Sequence, residues 1–158
     1  KWANLISLGV GNKRSVSTAN ATSYTIAIGG GIIGTNNALR ITPLSLSSQC
    51  ISGQSTTITI TYGGTTVITY TASSATGASF ASPVSLDFSA TICGDGATNA
   101  QQSNCSYIES TIVVSGMSLY PKVVNGSAAV DSTVSQNLVI SFSGGSPNCE
   151  GMIVELIS

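Results

Sequence analysis

Residues 56–72 read Thr-Thr-Ile-Thr-Ile-Thr-Tyr-Gly-Gly-Thr-Thr-Val-Ile-Thr-Tyr-Thr-Ala, and this stretch decides the fold class. Threonine alternates with large apolar residues on both sides of a central Gly-Gly pair. Alternation of this kind predicts a strand with one buried and one exposed face, and the glycine pair predicts a tight turn. The stretch is therefore predicted to form a β-hairpin.

The register of this hairpin follows from the need to collect its apolar side chains on one face. A three-residue loop that includes Thr65 pairs Ile60 with Ile68, and Ile58 with Tyr70, so that all four lie together. A two-residue loop at the glycine pair alone would divide them between the two faces. The sequence therefore favours the three-residue loop, with the threonines facing outward.

Similar alternating runs cover most of the chain, with turn residues between them and no helical periodicity. Short strands at this spacing are typical of an all-β sandwich. The strands are predicted at 2–10, 23–33, 38–46, 56–62, 66–72, 84–93, 105–115, 118–124, 136–143 and 151–157.

The composition excludes several classes of protein. The chain has 158 residues, 42% of them apolar, with five Lys or Arg, six Asp or Glu and a net charge of −1. Five scattered cations cannot form the basic face that a nucleic-acid-binding protein needs. The apolar content is too high for a disordered chain, and no apolar run approaches the length of a membrane span. The sequence predicts one folded domain that binds no nucleic acid and does not span a membrane.

The missing side chains argue against catalysis. The chain has no His, which is the usual general base at neutral pH and the commonest metal ligand. It contains no nucleophile elbow, phosphate-binding loop or dinucleotide fingerprint. Asp87 and Glu155 lie on the predicted solvent faces of strands, although folding could still pair other acids as in a glycosidase. We therefore expect no enzyme activity, no cofactor and no metal.

Four cysteines in a chain rich in Ser and Thr favour two disulfides over four free thiols. Cys93 ends one apolar run and Cys105 begins the next, and the two ends of a hairpin bring such residues face to face. Cys93–Cys105 is the preferred pair, which leaves Cys50–Cys149. Buried, unpaired thiols are the alternative.

Three N-glycosylation sequons, at Asn20, Asn104 and Asn125, agree with secretion. The chain begins at Lys1 without Met, as a secreted protein does after its signal peptide is removed. A protein with so few charges should associate or precipitate unless something else solvates it. We therefore expect either that glycans coat the protein or that association is its function.

The N-terminal segment is the most informative part of the chain for function. Four apolar residues of a predicted strand share one face, and a polar stretch at 11–15 predicts a hinge after them. An ordinary first strand of the domain is one interpretation; a donor strand that completes the sheet of a neighbouring copy is the other. In the second, residues 1–15 are donor strand and hinge, and 16–158 form the sandwich. The four donor side chains would be Trp2, Ile6, Leu8 and Val10.

As a whole, the chain resembles the donor-strand-complemented pilins, which are small β-sandwiches rich in Ser, Thr and Gly with an alternating N-terminal extension. Gly145 lies where chaperone–usher (type I-like) pilins have a glycine, but the penultimate residue is Ile157 where they have Tyr. Those pilins also usually join their first two strands by a disulfide, whereas the first cysteine here is as late as Cys50. The chain is therefore more similar to the glycosylated thread filaments of thermoacidophilic archaea.

This resemblance implies an Ig-like, pilin-like β-sandwich with an N-terminal donor strand. It implies an extracellular filament that polymerises head to tail and serves adhesion or biofilm formation, with neighbouring copies and N-linked glycans as the partners. Two alternatives stay open. One is a monomeric adhesin or carbohydrate-binding sandwich, for which Asp95, Asn99 and Glu109 form a thin set of calcium ligands. The other is a capsid or surface-layer protein.

Overall fold

A computed structural model of the chain describes residues 7–8, 14–17, 22–50, 55–73, 82–113 and 116–157. These residues form eleven strands and no helix, so no described helix is long and apolar enough to cross a membrane. The strands are β1 (Ser7–Leu8), β2 (Arg14–Ser17), β3 (Ser23–Ile28), β4 (Ala38–Cys50), β5 (Ser55–Tyr62), β6 (Thr65–Ser73), β7 (Ser82–Gly94), β8 (Gln101–Val113), β9 (Gly116–Ala128), β10 (Gln136–Ser143) and β11 (Ser146–Ile157).

The strands form two sheets that pack face to face, which confirms the predicted β-sandwich. Sheet A has the order β1-β3-β10-β5-β6, and sheet B has the order β2-β11-β4-β7-β8-β9. The described pairings are antiparallel except for that of β1 with β3. The chain crosses between the sheets after β1, β2, β3, β4, β6, β9 and β10, while β7, β8 and β9 form a meander.

Alternation of apolar and polar residues builds the core between the sheets. Along β5 each Ile or Tyr is buried while the threonines between them are partly exposed, as expected for a strand with one face on the core. Phe88, Ala90 and Ile92 of β7 are buried as predicted. The apolar C-terminal strand, β11, pairs with β4 along most of its length, so this end of the chain is held inside sheet B.

The hairpin of β5 and β6 has the predicted pairs but not the predicted loop. Ile60 pairs with Ile68 and Ile58 with Tyr70. The loop has only two residues, Gly63 and Gly64, with φ angles of 56° and 80°, which is the left-handed backbone that favours glycine in tight hairpins. After the pairs Tyr62–Thr65 and Thr61–Thr66, an irregularity between Ile60 and Thr61 shifts the pairing by one residue, so that Ile60 lies opposite Ile68. The extra residue therefore lies within the ladder and not in the turn.

Two boundaries also differ from the prediction. β3 ends at Ile28 and not at residue 33, because the chain turns through a glycine-rich stretch, from which Ile32 and Ile33 still reach the core. Residues 14–17 form β2, although the predicted hinge included residues 14 and 15. The predicted boundary between the N-terminal segment and the sandwich thus falls within a strand of sheet B.

One lateral side of the sandwich is closed by direct contact between the sheets. The hydroxyl of Ser103 in β8 donates a buried hydrogen bond of 2.7 Å to the carbonyl oxygen of Val67 in β6. Gly126 of β9 lies so close to the same oxygen that a Cβ there would be 1.9 Å from it. On the other lateral side, β1 pairs with β3 and β2 pairs with β11.

Candidate assembly edge

The first described strands lie on the same lateral side of both sheets. Ser7 and Leu8 pair in parallel with Ala27 and Ile28 of β3, and β2 pairs with residues 152–155 of β11. Of the four predicted donor residues, the structure describes Leu8, whose backbone pairs with Ile28. The predicted donor residues Trp2, Ile6 and Val10 lie outside the described part of the chain.

Among the described residues, strand pairing covers only part of the outer edge of β3. On its inner side, all six residues of β3 pair with β10. On its outer side, β1 pairs with Ala27 and Ile28. Within the described residues, no strand pairs with the outer side of 23–26. A strand edge carries backbone N–H and C=O groups, and another strand can add wherever those groups are unpaired.

This edge also lacks the features that usually prevent strand addition. Native edge strands are protected by charged residues, Pro, bulges or a covering segment. β3 reads Ser-Tyr-Thr-Ile-Ala-Ile, with no charge and no Pro. By contrast, β9 carries exposed Pro121 and Lys122 at the far edge of sheet B. At the near edge of sheet B, β2 begins with Arg14, and β11 contains Pro147 and an irregularity before Gly151.

The interior behind β3 is rigidly packed. Tyr24, Ile26 and Ile28 are buried, and the ring of Tyr24 meets that of Phe142 edge to face at 6.2 Å between centroids. The hydroxyl of Tyr24 donates a 2.6 Å hydrogen bond to the backbone carbonyl of Cys149 in β11, so it joins the two sheets on this side. Each of the three side chains projects from β3 into the core.

The cysteines do not form the predicted disulfides, since Cys93, Cys105 and Cys149 are free thiols. Cys93 lies opposite Gln102, and Cys105 lies opposite Ala90. Cys105 is buried while Cys93 follows buried Ile92, so the two thiols point to opposite faces of sheet B. The predicted pairing was based on a loop at 94–104, but the strands pair up to Gly94 and Gln101.

Strand register separates the second predicted pair as well. Cys149 lies opposite Leu46, and Cys50 ends the same strand four residues farther on. Four residues of extended strand span about 13 Å, well beyond the Cα separation of a disulfide. The thiol of Cys149 is buried and donates a 3.2 Å hydrogen bond to the carbonyl oxygen of Gly151. Burial raises the pKa of the Cys149 thiol, and it raises that of Cys105 to about 12.

Two of the predicted glycosylation sites are neighbours. Asn104 of β8 lies directly opposite Asn125 of β9, and both side chains are exposed on the outer face of sheet B. The Nδ2 of Asn104 donates a 2.7 Å hydrogen bond to the Oδ1 of Asn125. Asn20 lies outside the described residues. No local sequence pattern predicts this pairing, since 21 residues separate the two positions.

The acidic residues do not converge within the described part of the chain, and no group of three metal-ligating side chains occurs there. Asp95 accepts a 3.1 Å hydrogen bond from Gln102. Glu155 lies on the outer face of sheet B, where its Oε2 accepts hydrogen bonds of 2.6 and 3.0 Å from Arg40. Asp131 accepts from the backbone and hydroxyl of Thr133, and these bonds lower the pKa of its carboxyl.

No protein family and no curated protein matches the chain. Among solved structures, the 4-O-methyl-α-glucuronidase BtGH115A, with specificity for decorated arabinogalactans, is 13% identical with a TM-score of 0.36; all of this chain is covered, and it spans 16% of that protein.

Two other structures are similarly distant. A chain in the structure of the infectious bursal disease virus Gx strain has 16% sequence identity and a TM-score of 0.29. The match covers 90% of this chain and 38% of the viral chain. A legume lectin-like domain from Entamoeba histolytica has 8% sequence identity and a TM-score of 0.28. The match covers 93% of this chain and 84% of that domain's chain. TM-scores of this size carry no argument about the function of the chain.

Proposed function

We propose that the chain is the structural subunit of an extracellular filament, in which the N-terminal segment of one copy adds as a strand to the β3 edge of the next. The observation that carries the proposal is the edge itself. Two residue pairs hold β1 against β3, and residues 23–26 have no described partner on that side. The edge has neither charge nor Pro to prevent addition of another strand.

The donor fits this edge by its alternation. Strand addition gains affinity from backbone hydrogen bonds and specificity from alternate side chains that enter the acceptor. Residues 1–11 have apolar residues in alternation with polar or small ones at positions 6, 8 and 10, and the single Trp of the chain is at position 2. Behind the acceptor edge, Tyr24, Ile26 and Ile28 present an apolar interior.

Addition of this kind can continue from copy to copy into a polymer. The donated segment and the β3 edge are different surfaces of the subunit, so each copy that donates at one surface can still accept at the other. A heterologous contact of this type propagates unless its rotation closes a ring. The same backbone groups that pair β1 with β3 within one copy can pair the strand of a neighbouring copy, so exchange needs no new kind of contact.

The surface supports an extracellular, non-catalytic role. Only 7% of the residues are charged and none is His, and two sequon asparagines are exposed in the folded domain. Low charge is a liability for a protein that must stay monomeric, but it does not oppose assembly. We propose that the filament is glycosylated and serves adhesion or biofilm formation.

Negative-stain electron microscopy of the secreted, unboiled protein tests the proposal. Full-length chains are expected to form thin filaments with a repeat of one small domain, and chains without residues 1–11 are expected to form none. A lectin would instead keep its fold and its ligand binding after this deletion, and a capsid protein would form closed shells. Uniform single particles of the full-length chain would overturn the proposal.

A further inference from the structure

The outer face of sheet B contains a shallow apolar hollow of about 450 Å³, within the usual size range of ligand sites. Ile108 is 42% exposed and Val123 62% exposed at this hollow, and exposed Pro121, on the same strand as Val123, lies directly opposite Ile108. Contiguous apolar surface of this kind normally binds or is covered by something. Most of the other lining residues that face outward are small and hydroxylic: Thr42, Ser89 and Ser106.

The Asn104–Asn125 pair lies directly beside this hollow. Val123 precedes Asn125 by two residues on β9, and Ser106 follows Asn104 by two residues on β8. Residues two apart on a strand point to the same face and are about 7 Å apart. A sugar attached to this pair therefore has the apolar hollow within reach of its first rings.

We infer that Asn125 carries an N-linked glycan whose first sugars cover the hollow at Ile108, Pro121 and Val123. The inference rests on the extracellular location in the proposed function but not on polymerisation. The occupant is a glycan of this same chain. Pyranose rings have an apolar face of C–H groups that packs on aliphatic side chains, and hydroxyls that suit the serines and threonines at the rim.

Asn125, and not Asn104, is assigned as the attachment site for two reasons. The side-chain Oδ1 of Asn125 accepts the hydrogen bond from Nδ2 of Asn104, so the Nδ2 of Asn125 is not used in this bond and can bear a sugar. The Nδ2 of Asn104 is the donor, and a sugar there would leave it a single N–H and would crowd the bond. In addition, β9 is an edge strand with open space on one side, whereas Asn104 has Thr91 on one side and Asn125 on the other.

The covalent step requires a polyprenyl-diphosphate-linked oligosaccharide as the sugar donor. The Nδ2 of Asn125 attacks the anomeric carbon, the bond from that carbon to the diphosphate oxygen breaks, and the amide nitrogen loses one proton. Polyprenyl diphosphate is the leaving group. In the folded product, Asn104 is a positioning residue that holds the carbonyl of the linkage amide.

The test is glycopeptide mass spectrometry on chains secreted from an N-glycosylating host. Ser127→Ala removes the sequon of Asn125, and Ser106→Ala removes that of Asn104 as the matched control. Asp131→Asn creates a sequon with Thr133 in an exposed loop, and the host is chosen as one that glycosylates this variant. The wild type and Ser106→Ala are expected to carry a glycan on Asn125, and Ser127→Ala to carry none on this pair.

Hydroxyl-radical footprinting of the same chains tests the cover. Ile108, Pro121 and Val123 should be modified several-fold less in the wild type than in Ser127→Ala, while Val134, exposed in a distant loop, should not change. A glycan on Asn104, on both asparagines or on neither would overturn the assignment of Asn125 as the attachment site. Equal modification of the three hollow residues in the wild type and in Ser127→Ala would overturn the inference that the glycan covers them. Electron microscopy of the same variants reads out polymerisation separately, because none of the substitutions touches β3.

Discussion

Gly126 and Val67 define the closed side of the sandwich. A Cβ on Gly126 would be 1.9 Å from the carbonyl oxygen of Val67, so only glycine lets β9 approach β6 this closely. The same oxygen accepts the hydroxyl of Ser103. This side is therefore closed by two sheets in direct contact, while on the opposite side the hydroxyl of Tyr24 joins β3 to β11.

Gly126→Ala should destabilise the domain by about 2–3 kcal/mol, since the methyl group must displace a backbone carbonyl that cannot move independently of β6. The measurement is urea unfolding of unglycosylated protein, with the midpoint lowered and the slope unchanged. Ser127→Ala, at the exposed neighbouring position, is the control and should change stability by less than about 0.5 kcal/mol. Equal midpoints for the two variants would contradict the close contact.

The protein should lose stability in alkali. Burial raises the pKa of Tyr62 to about 12, with the charge of Asp131 acting in the same direction. A raised folded-state pKa gives stability that is present below the unfolded value of 10.0 and lost as pH rises toward 12. Tyr62 should account for about 2 kcal/mol of that loss. Tyr62→Phe keeps the ring and removes the proton, so it should flatten the decline in urea midpoint above pH 10; an unchanged decline would contradict this origin.

Acid should affect the fold much less. The hydrogen bonds from Thr133 lower the pKa of Asp131 below 3.8, so the stability that they contribute is present above that value and lost as pH falls through the lowered one. The chain has no His and six acids, so few groups titrate between neutral pH and 4. Urea midpoints should therefore be nearly constant over that interval, and a steep fall between pH 7 and 5 would contradict the account.

Thiol counting distinguishes free cysteines from disulfides. Cys93, Cys105 and Cys149 are free, so unreduced protein in denaturant should react with at least three equivalents of a thiol reagent. Cys105 and Cys149 are buried, and in native protein they should react only after the domain opens. Two disulfides would leave no thiol to react, and that result would restore the pairing expected from composition.

A charge on the acceptor edge should block assembly without unfolding the domain. Ala27 is exposed and lies opposite Ser7, and Lys on an edge strand opposes the addition of another strand. Ala27→Lys should therefore abolish filaments in electron micrographs. Thr71→Lys, at an exposed position of β6, is the matched control and should still form them. Both variants should unfold within about 0.5 kcal/mol of the wild type.

Local patterns in the sequence were sufficient to predict most of the described strands and the hairpin pairs, but not β2. The alternation around Ile58 and Ile60 requires one buried face, and burial of that face then fixes which residues pair. The loop length was wrong because an irregularity within a strand and a longer turn produce the same pairs. The sequence does not distinguish between them.

Relationships between distant segments could not be predicted in this way. The cysteine pairs failed because the register of β4 with β11 and of β7 with β8 depends on packing across both sheets. Asn104 and Asn125 become neighbours through the pairing of β8 with β9. β2 has four residues, including Arg14 and two serines, and its pairing with β11 stabilises a stretch whose own sequence predicts a hinge.

The central claim is that β3 accepts the N-terminal strand of a neighbouring copy. Two single variants test it, Ser7→Cys and Ala27→Cys, because their positions pair in the β1–β3 register. The two proteins are unfolded, mixed, allowed to assemble and oxidised, and are then separated on a non-reducing denaturing gel.

Each variant alone, and Ser7→Cys mixed with Thr71→Cys, gives the background from native thiols. If β3 accepts the strand of a neighbouring copy, the mixture of Ser7→Cys and Ala27→Cys is expected to give cross-linked dimers well above that background. A double variant that carries both substitutions is expected to give long ladders. Monomers from the mixture, together with an internally cross-linked monomer from the double variant, would show that β1 stays in its own domain and would contradict the account.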